Sequence, residues 1–167
     1  MAFICYRDAT QKDLTKIVEI YNSTIPSRMV TADTEPVSVV SRQRWFEEHI
    51  PNKRPLWVIE IAPNQIIGWV SFQSFYGRAA YDSTVEISIY LTEEHRGKGL
   101  GKEILHHCID RASKLGIKTL LGFIFAHNEP SIKLFRHFGF EDWATLPNIA
   151  ELDGLESTLK ILGKRIA

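Results

Sequence analysis

The segment LTEEHRGKGLGKEIL, residues 91–105, constrains the fold most, because it joins a strand pattern to a helix pattern through three glycines. Before it, STVEISIYL alternates apolar and polar residues as a strand does. After it, apolar residues recur at positions 100, 104, 105, 108, 109, 112 and 115, on one helical face that Gly116 ends. The first N–H groups of such a helix have no partner, and glycines let an anion approach them closely. The segment therefore predicts a phosphate-binding turn in an α/β fold.

The rest of the chain predicts further strands and helices around this turn. Helices are predicted behind Thr10, over residues 39–49, and in NEPSIKLFRHFGF with Asn128 as N-cap and Gly139 as terminator. Strands are predicted in FICYRDA, in the hairpin LWVIEIAPNQIIGWVSFQSF, in the buried run IKTLLGFIFA, and near residues 141–146 and 157–162. No linker interrupts this order, so we expect a mixed α/β sheet in one domain, residues 1–167.

Charge and composition narrow the class of partner. Twenty basic and twenty acidic side chains cancel, which predicts no affinity for nucleic acid or an anionic membrane. No apolar run is long enough to span a bilayer and the N-terminus does not resemble a leader, so we expect a cytoplasmic protein with small-molecule partners. Cys5 and Cys108 fit neither a disulfide framework nor a metal spacing, so we expect two buried thiols; the scattered histidines predict no metal site.

The glycine turn does not match two common phosphate motifs. A P-loop requires Ser or Thr after the lysine, but Glu103 follows Lys102. A dinucleotide fingerprint requires a third glycine where Lys102 or Ile104 stands. The pattern that remains, RGKGLG, resembles the pyrophosphate-binding turn of the GNAT N-acetyltransferase superfamily. NEPSIKLFRHFGF resembles the second coenzyme-contacting element of that superfamily, and other segments resemble its phosphinothricin acetyltransferase-like branch.

This resemblance implies a GNAT fold, with a mostly antiparallel sheet flanked by helices on both faces, and acetyl-CoA as co-substrate. It also implies a homodimer, no metal, and a small amino-acid-like amine as acceptor. The coenzyme-binding residues that it implies are Ile89, Tyr90, Leu91, Arg96, Gly97, Lys98, Gly99, Leu100, Gly101, Asn128 and Ser131. Two alternatives stay open, namely an acetyltransferase for another amine (a polyamine, an antibiotic or a protein N-terminus) and a non-catalytic coenzyme-binding sensor.

Glu86 is the predicted catalytic residue. The alternation of its strand places Glu86 with Ser88 and Tyr90 on the more polar face, where a carboxylate could take a proton from an amine. From the strand pattern alone, an exposed glutamate on a wet sheet face is the more ordinary interpretation. The resemblance reverses this preference, because the branch carries a catalytic glutamate in the corresponding TVE stretch. No nucleophile motif occurs, so we expect direct attack by the amine in a ternary complex.

Each of the remaining site residues has more than one possible role. Phe135 occupies the position where many superfamily members place a tyrosine that protonates the departing thiolate, and Tyr90 or Tyr81 could substitute for it. Arg78, in the loop before the catalytic strand, could bind a substrate carboxylate through two N–H groups, or could simply be solvated. Phe75 and Tyr81 could form a wall of the substrate pocket, although such aromatics more often pack in cores.

Overall fold

A computed structural model describes residues 3–167 as four helices and one seven-stranded sheet. The helices are α1 (Leu14–Thr24), α2 (Val39–Glu47), α3 (Leu100–Lys114) and α4 (Glu129–His137). The strands are β1 (Cys5–Asp8), β2 (Leu56–Glu60), β3 (Ile66–Ser74), β4 (Thr84–Leu91), β5 (Thr119–Phe125), β6 (Glu141–Leu152) and β7 (Leu155–Arg165). The predicted mixed α/β architecture is confirmed.

The sheet has the order β1-β2-β3-β4-β5-β7-β6 and consists of two antiparallel halves. Strands β1 to β4 form one half, and β5, β7 and β6 form the other. The two halves meet in one parallel pair, β4 with β5, and α3 makes the crossover between these strands. Their register covers only three residue pairs, from Thr84↔Thr119 to Glu86↔Leu121. The sheet is therefore joined at one end of β4 and open at the other.

Helices cover both faces of the sheet, as expected. On one face, α3 and α4 bury residues such as Leu105 and Phe135 against Phe72 and Val85. On the other face, α1 buries Ile17 and Ile20 against β2 and β3, and residues of α2 pack at the margin. β4 contributes to both, because its side chains alternate between the faces. One side of β4 therefore belongs to the larger core, and the other side lies beneath α1 and α2.

The structure departs from the sequence predictions in several places. Thr10 and Asp13 form a capping box around a short 3-10 turn, and α1 begins only after that turn. The last two strands are much longer than predicted and form a hairpin of 12 and 11 residues. The prediction of two buried thiols is wrong for Cys5, which is exposed on the edge strand β1. It is confirmed for Cys108, where burial raises the pKa of the thiol.

Candidate active site

The open end between β4 and β5 exposes main-chain groups of β4. The Thr92 N–H donates to the Ile67 carbonyl at 2.8 Å, which makes these two residues a hydrogen-bonded pair between β3 and β4. Such pairs alternate along an antiparallel ladder, so Tyr90 also bonds to β3, whereas Ile89 and Leu91 direct their N–H groups toward β5. β5 no longer pairs at that level. Of the three residues predicted to bind the coenzyme through the backbone, Ile89 and Leu91 are therefore available, and the Tyr90 amide is used within the sheet.

The glycine turn has the backbone that the motif predicted. Gly97 and Gly99 lie at φ +70° and +84°, in the left-handed region that favours glycine, and Gly99 is the N-cap of α3. Among the described residues no side chain caps this helix end, and the Lys102 N–H donates to the Gly99 carbonyl at 3.1 Å, so the N–H groups of Leu100 and Gly101 remain for an anion. Lys98 is exposed beside them. Gly101 has a different role, because a Cβ atom there would approach the Leu134 Cδ2 of α4 to 3.1 Å.

Three other residues predicted to bind the coenzyme take part in the protein's own contacts. The Arg96 Nε donates to the Leu91 carbonyl at 2.9 Å. The Asn128 side chain caps α4 by accepting from the Ser131 N–H at 3.3 Å, and it donates to the Met29 carbonyl at 3.2 Å. These contacts hold the rim of the opening in place. A coenzyme role for these side chains stays a prediction.

A cavity of about 140 Å³ lies on the α1 and α2 side of the sheet, beside the residues where β4 leaves β5. Helices α1 and α2 and strands β3 and β4 supply most of its walls. It is lined by Ile17, Val18, Tyr21, Val37, Arg42, Trp45, Trp69, Ser71, Gln73, Glu86, Ser88 and Tyr90. Its volume corresponds to about five water molecules at ~30 Å³ each, which suits a small molecule.

Glu86 is half-buried in this cavity rather than on an open wet face. Its carboxylate has no hydrogen-bond or ion-pair partner among residues 3–167. Burial raises the pKa of the Glu86 carboxyl above its ordinary value. A partly desolvated carboxylate without a partner is a better proton acceptor than an exposed one, because nothing nearby stabilises its charge.

Aromatic rings form the wall around Glu86. Tyr90 stacks on Trp69 at 4.4 Å between ring centroids and meets Tyr21 at 5.3 Å. The Trp69 indole N–H donates to the Ile17 carbonyl at 3.1 Å, which fixes the ring. Burial is the main cause that raises the pKa of the Tyr90 phenol. Phe135, by contrast, is buried in the core on the other face, against Phe140, so it offers no polar group to this site.

Two polar groups of the cavity were missed by sequence reasoning. Arg42 lies over the Tyr21 ring, 4.6 Å from its centroid, and its Nη2 donates to Asp33 Oδ2 at 3.0 Å. The Tyr21 hydroxyl also donates to Asp33. Arg42 and Trp45 stand three residues apart on α2, which places them on one helical face. That spacing was a usable signal, although it could not show which element this face contacts.

His49 orients the second missed group, Ser71. The His49 Nδ1 lies 2.8 Å from the Trp45 carbonyl, which can only accept, so Nδ1 carries the proton. The Nε2 then accepts from the Ser71 hydroxyl at 2.7 Å. Burial lowers the pKa of His49, which favours this neutral form. Ser71 therefore presents oxygen lone pairs, rather than its hydrogen, to the cavity.

The three predicted substrate residues lie outside the cavity. Phe75, Tyr76 and Tyr81 form an aromatic cluster in the connection between β3 and β4, with the Phe75 and Tyr81 rings 5.5 Å apart. Arg78 is exposed in the same connection. Within a single protomer, therefore, Phe75, Arg78 and Tyr81 do not share a cavity with Glu86. Their substrate role stays a prediction.

Two kinds of feature are absent from residues 3–167. None of the helices described is both long and apolar enough to cross a bilayer. In the same part of the chain, His, Cys, Asp and Glu side chains form no group of three or more that could hold a metal ion.

Comparison with known proteins gives one family. The model of the acetyltransferase (GNAT) family matches residues 15–140. A Bacillus subtilis (strain 168) protein named "Putative phosphinothricin acetyltransferase YwnH" is 50% identical over 161 residues, which cover 96% of this chain and 98% of that protein. The L-methionine sulfoximine/L-methionine sulfone acetyltransferase of Pseudomonas aeruginosa PAO1 is 32% identical over 148 residues, covering 89% of this chain and 86% of its own length.

Solved structures agree with this result. A crystal structure of a GNAT superfamily phosphinothricin acetyltransferase from Sinorhizobium meliloti, in complex with acetyl-CoA, superposes with a TM-score of 0.90 at 30% identity. The match covers 99% of this chain and 89% of that one.

Proposed function

The chain belongs to the GNAT acetyltransferase family, and from this premise we propose that it transfers an acetyl group from acetyl-CoA to a small amino-acid-like amine. The acceptor is of the phosphinothricin or methionine sulfoximine type, as in the names of the relatives. One observation carries the proposal. The half-buried, unpartnered Glu86 faces a small cavity at the point where β4 leaves β5.

The residues of this chain fit the coenzyme. The uncapped N-terminus of α3, with Gly97 and Gly99 in the left-handed region, suits a diphosphate. The free N–H groups of Ile89 and Leu91 suit an extended amide-containing arm, which would pair with β4 much as a strand does. When bound, acetyl-CoA supplies the acetyl group in activated form, as a thioester. The whole chain, residues 1–167, then acts as a single N-acetyltransferase domain.

Glu86 supports the reaction by accepting a proton from the acceptor's ammonium group, directly or through a water. At pH 7 an amine of pKa about 10.4 is only ~1/2500 neutral, and one near 8 is ~1/10 neutral, so this proton transfer matters. The neutral nitrogen then forms a bond to the thioester carbon, the carbon–sulfur bond breaks, and the nitrogen loses a second proton as it becomes an amide. The departing thiolate takes up one proton, so the reaction releases one proton overall. Tyr90, which lines the same cavity, is the best-placed candidate to donate the proton to the thiolate.

A cysteine-based acyl-enzyme has no support among residues 3–167. Cys108 is fully buried in the core, where burial raises the pKa of its thiol, and Cys5 lies on the distant edge strand β1. Neither thiol lines the cavity. Direct attack by the amine, with both substrates bound, therefore remains the mechanism that we propose.

The test is release of free CoA thiol from acetyl-CoA across a panel of amines. The panel contains phosphinothricin, methionine sulfoximine, a polyamine, an aminoglycoside and a short peptide, and mass spectrometry of the products identifies the acetylated acceptor. We expect turnover with the first two. A protein that binds acetyl-CoA but acetylates none of them would favour a sensor, and turnover with another member alone would favour a different acceptor class.

We propose that the enzyme is a cytoplasmic homodimer. The edge strand β6 and its hairpin partner β7 expose Trp143, Ile149 and Leu155, the last at 72%. Ile149 and Leu155 lie near the turn of this hairpin and Trp143 near its other end. Exposed apolar side chains along one hairpin are a common mark of a protein interface. Light scattering should give about twice the chain mass, and Leu155→Lys together with Ile149→Lys should reduce it to the chain mass. Cell fractionation tests the location.

A further inference from the structure

The guanidinium of Arg42 is held inside the acceptor cavity. It belongs to the lining of the same cavity as Glu86, and its side chain is only 26% exposed. Its Cζ lies 4.6 Å from the Tyr21 ring centroid and 5.7 Å from that of Trp45. Cation–π contacts with two rings restrict where this long side chain can go. Arg42 is therefore placed before any ligand arrives.

Most of the hydrogen-bonding capacity of Arg42 is unused. A guanidinium has five N–H donors, and only Nη2 has a partner among residues 3–167, namely Asp33 Oδ2 at 3.0 Å. Asp33 also accepts from the Tyr21 hydroxyl, so its charge is shared between two donors. The Nε hydrogen, both Nη1 hydrogens and one Nη2 hydrogen remain for another acceptor. Nη2 shares one edge of the guanidinium with Nε and the other with Nη1, so one edge stays free to bind a carboxylate through two N–H groups.

The charges of the cavity form a pattern that matches a zwitterion. Glu86 and Arg42 are the acidic and basic residues of the lining, and the remaining residues are apolar, aromatic, hydroxyl or amide side chains. A space of about 140 Å³ thus has a proton acceptor and a guanidinium in its walls. An α-amino acid carries an ammonium and a carboxylate on one carbon. A polyamine would instead bring a second cation toward Arg42.

We infer that Arg42 is the carboxylate receptor of the acceptor site and selects amino acids over amines without an acid group. This inference rests on the proposed function, because it assigns a role within the same reaction. Tyr21, Trp45 and Asp33 act as positioning residues for the guanidinium. Arg78, the arginine for which the sequence left a substrate role open, is exposed outside the cavity.

The experiment compares two acceptors on two enzymes. The acceptors are the amino acid with the highest turnover in the panel and its α-carboxamide, and the enzymes are the wild type and Arg42→Gln. The amine pKa differs between the acceptors but is the same for both enzymes. The change in the acid-to-amide ratio of kcat/KM therefore isolates the carboxylate contact, as in a double-mutant cycle.

We expect Arg42→Gln to lower kcat/KM for the acid by roughly 10- to 100-fold, and for the amide by less than about threefold. The loss should come from KM, because the carboxylate contact is made equally before and during the reaction. Arg44→Gln is the matched control. Arg44 is two residues away on α2, 92% exposed, and paired only with Glu48 among the described residues. It should leave both acceptors unchanged.

Several results would overturn the inference. Equal losses for acid and amide would make Arg42 a structural residue, and a wild-type enzyme without preference for the acid would exclude a carboxylate receptor. Arg42→Lys covers the case in which Arg42→Gln does not fold, because lysine keeps the positive charge but has no forked pair of N–H groups. We expect it to lower kcat/KM about 3- to 10-fold for the acid and not for the amide. If the wild type acetylates no amine, the proposed function itself is wrong.

Discussion

Replacing Glu86 with glutamine keeps the size of the side chain and removes its ability to take a proton. General bases contribute about 10²- to 10⁴-fold to such reactions. Since the residual reaction can use only the acceptor that is already neutral, ~1/10 to ~1/2500 at pH 7, we expect kcat/KM to fall by about 10- to 10³-fold, with the larger loss for the more basic amine. The acetyl-CoA affinity should not change, because Glu86 lies in the acceptor cavity and not in the glycine turn.

The pH dependence gives a second, independent signature. In the wild type, the reactive form has the Glu86 carboxyl ionised and the acceptor amine protonated. The value of kcat/KM should therefore not depend on pH between the pKa of Glu86 and that of the amine. Burial raises the pKa of Glu86, so the acid limb should have its midpoint at a higher pH than an ordinary glutamate would give. In Glu86→Gln, the rate should follow the neutral amine and rise about tenfold per pH unit up to the amine pKa. The variant should therefore approach the wild type at high pH.

Stability separates this effect from unfolding. A raised pKa means that the folded protein binds the Glu86 proton more tightly than the unfolded chain, so stability falls as pH rises through that window. Glu86→Gln removes this loss and should melt no lower than the wild type at pH 7.5. Glu19→Gln, on the exposed face of α1, is the control; it loses only an exposed ion pair with Lys16, so it should leave the rate unchanged and the melting nearly so. A Glu86→Gln rate within threefold of the wild type, or a ratio of rates that does not depend on pH, would refute a proton-accepting role.

Three other changes test the surrounding structure. Gly99→Ala places a side chain in the left-handed region, so it should cost about 1–2 kcal/mol of folding free energy and weaken acetyl-CoA binding at least tenfold by calorimetry. Gly154→Ala, at φ +78° in the β6–β7 turn, is the control and should cost the same folding free energy but leave acetyl-CoA binding intact. Gly122→Ala should destabilise by about 1–3 kcal/mol in denaturant titrations, because its Cβ would lie 2.6 Å from the Phe135 ring. Arg136 and Lys160 hold the pKa of Asp142 at about 2, so the wild type loses stability as pH falls from 4 to 2. In Asp142→Asn the free energy of unfolding should fall less steeply over this pH range, and an unchanged slope would contradict this.

The parts of the fold that the sequence predicted well have local causes. The glycine turn and α3 were predictable because left-handed glycines and one apolar helical face act over a few residues. The length of the β6–β7 hairpin was not, because β6 is an edge strand with mostly exposed residues and so lacks a strong apolar alternation. Cys5 was misjudged for a related reason. A thiol is usually buried, but a four-residue edge strand leaves one side open.

The site divides along the same line. Strand alternation and family resemblance singled out Glu86, and the structure places it in the cavity. Arg42 was missed because it lies more than 40 residues before Glu86 and joins the same cavity only once α2 is packed on the sheet. Arg78 was proposed, beside a solvated alternative, because it lies in the loop before the catalytic strand. It is exposed in that loop, and its substrate role stays a prediction.

The divergence of β4 from β5 also has a cost for the protein without its coenzyme. Unsatisfied main-chain groups on an inner strand can pair with any extended polypeptide, as those of an outer edge can. Arg96 occupies one such group, the Leu91 carbonyl, but the N–H groups of Ile89 and Leu91 have no strand beside them. The cleft that receives the coenzyme is thus also a place where a misfolded neighbour could insert. Aggregation on heating should be slower when the cleft is filled.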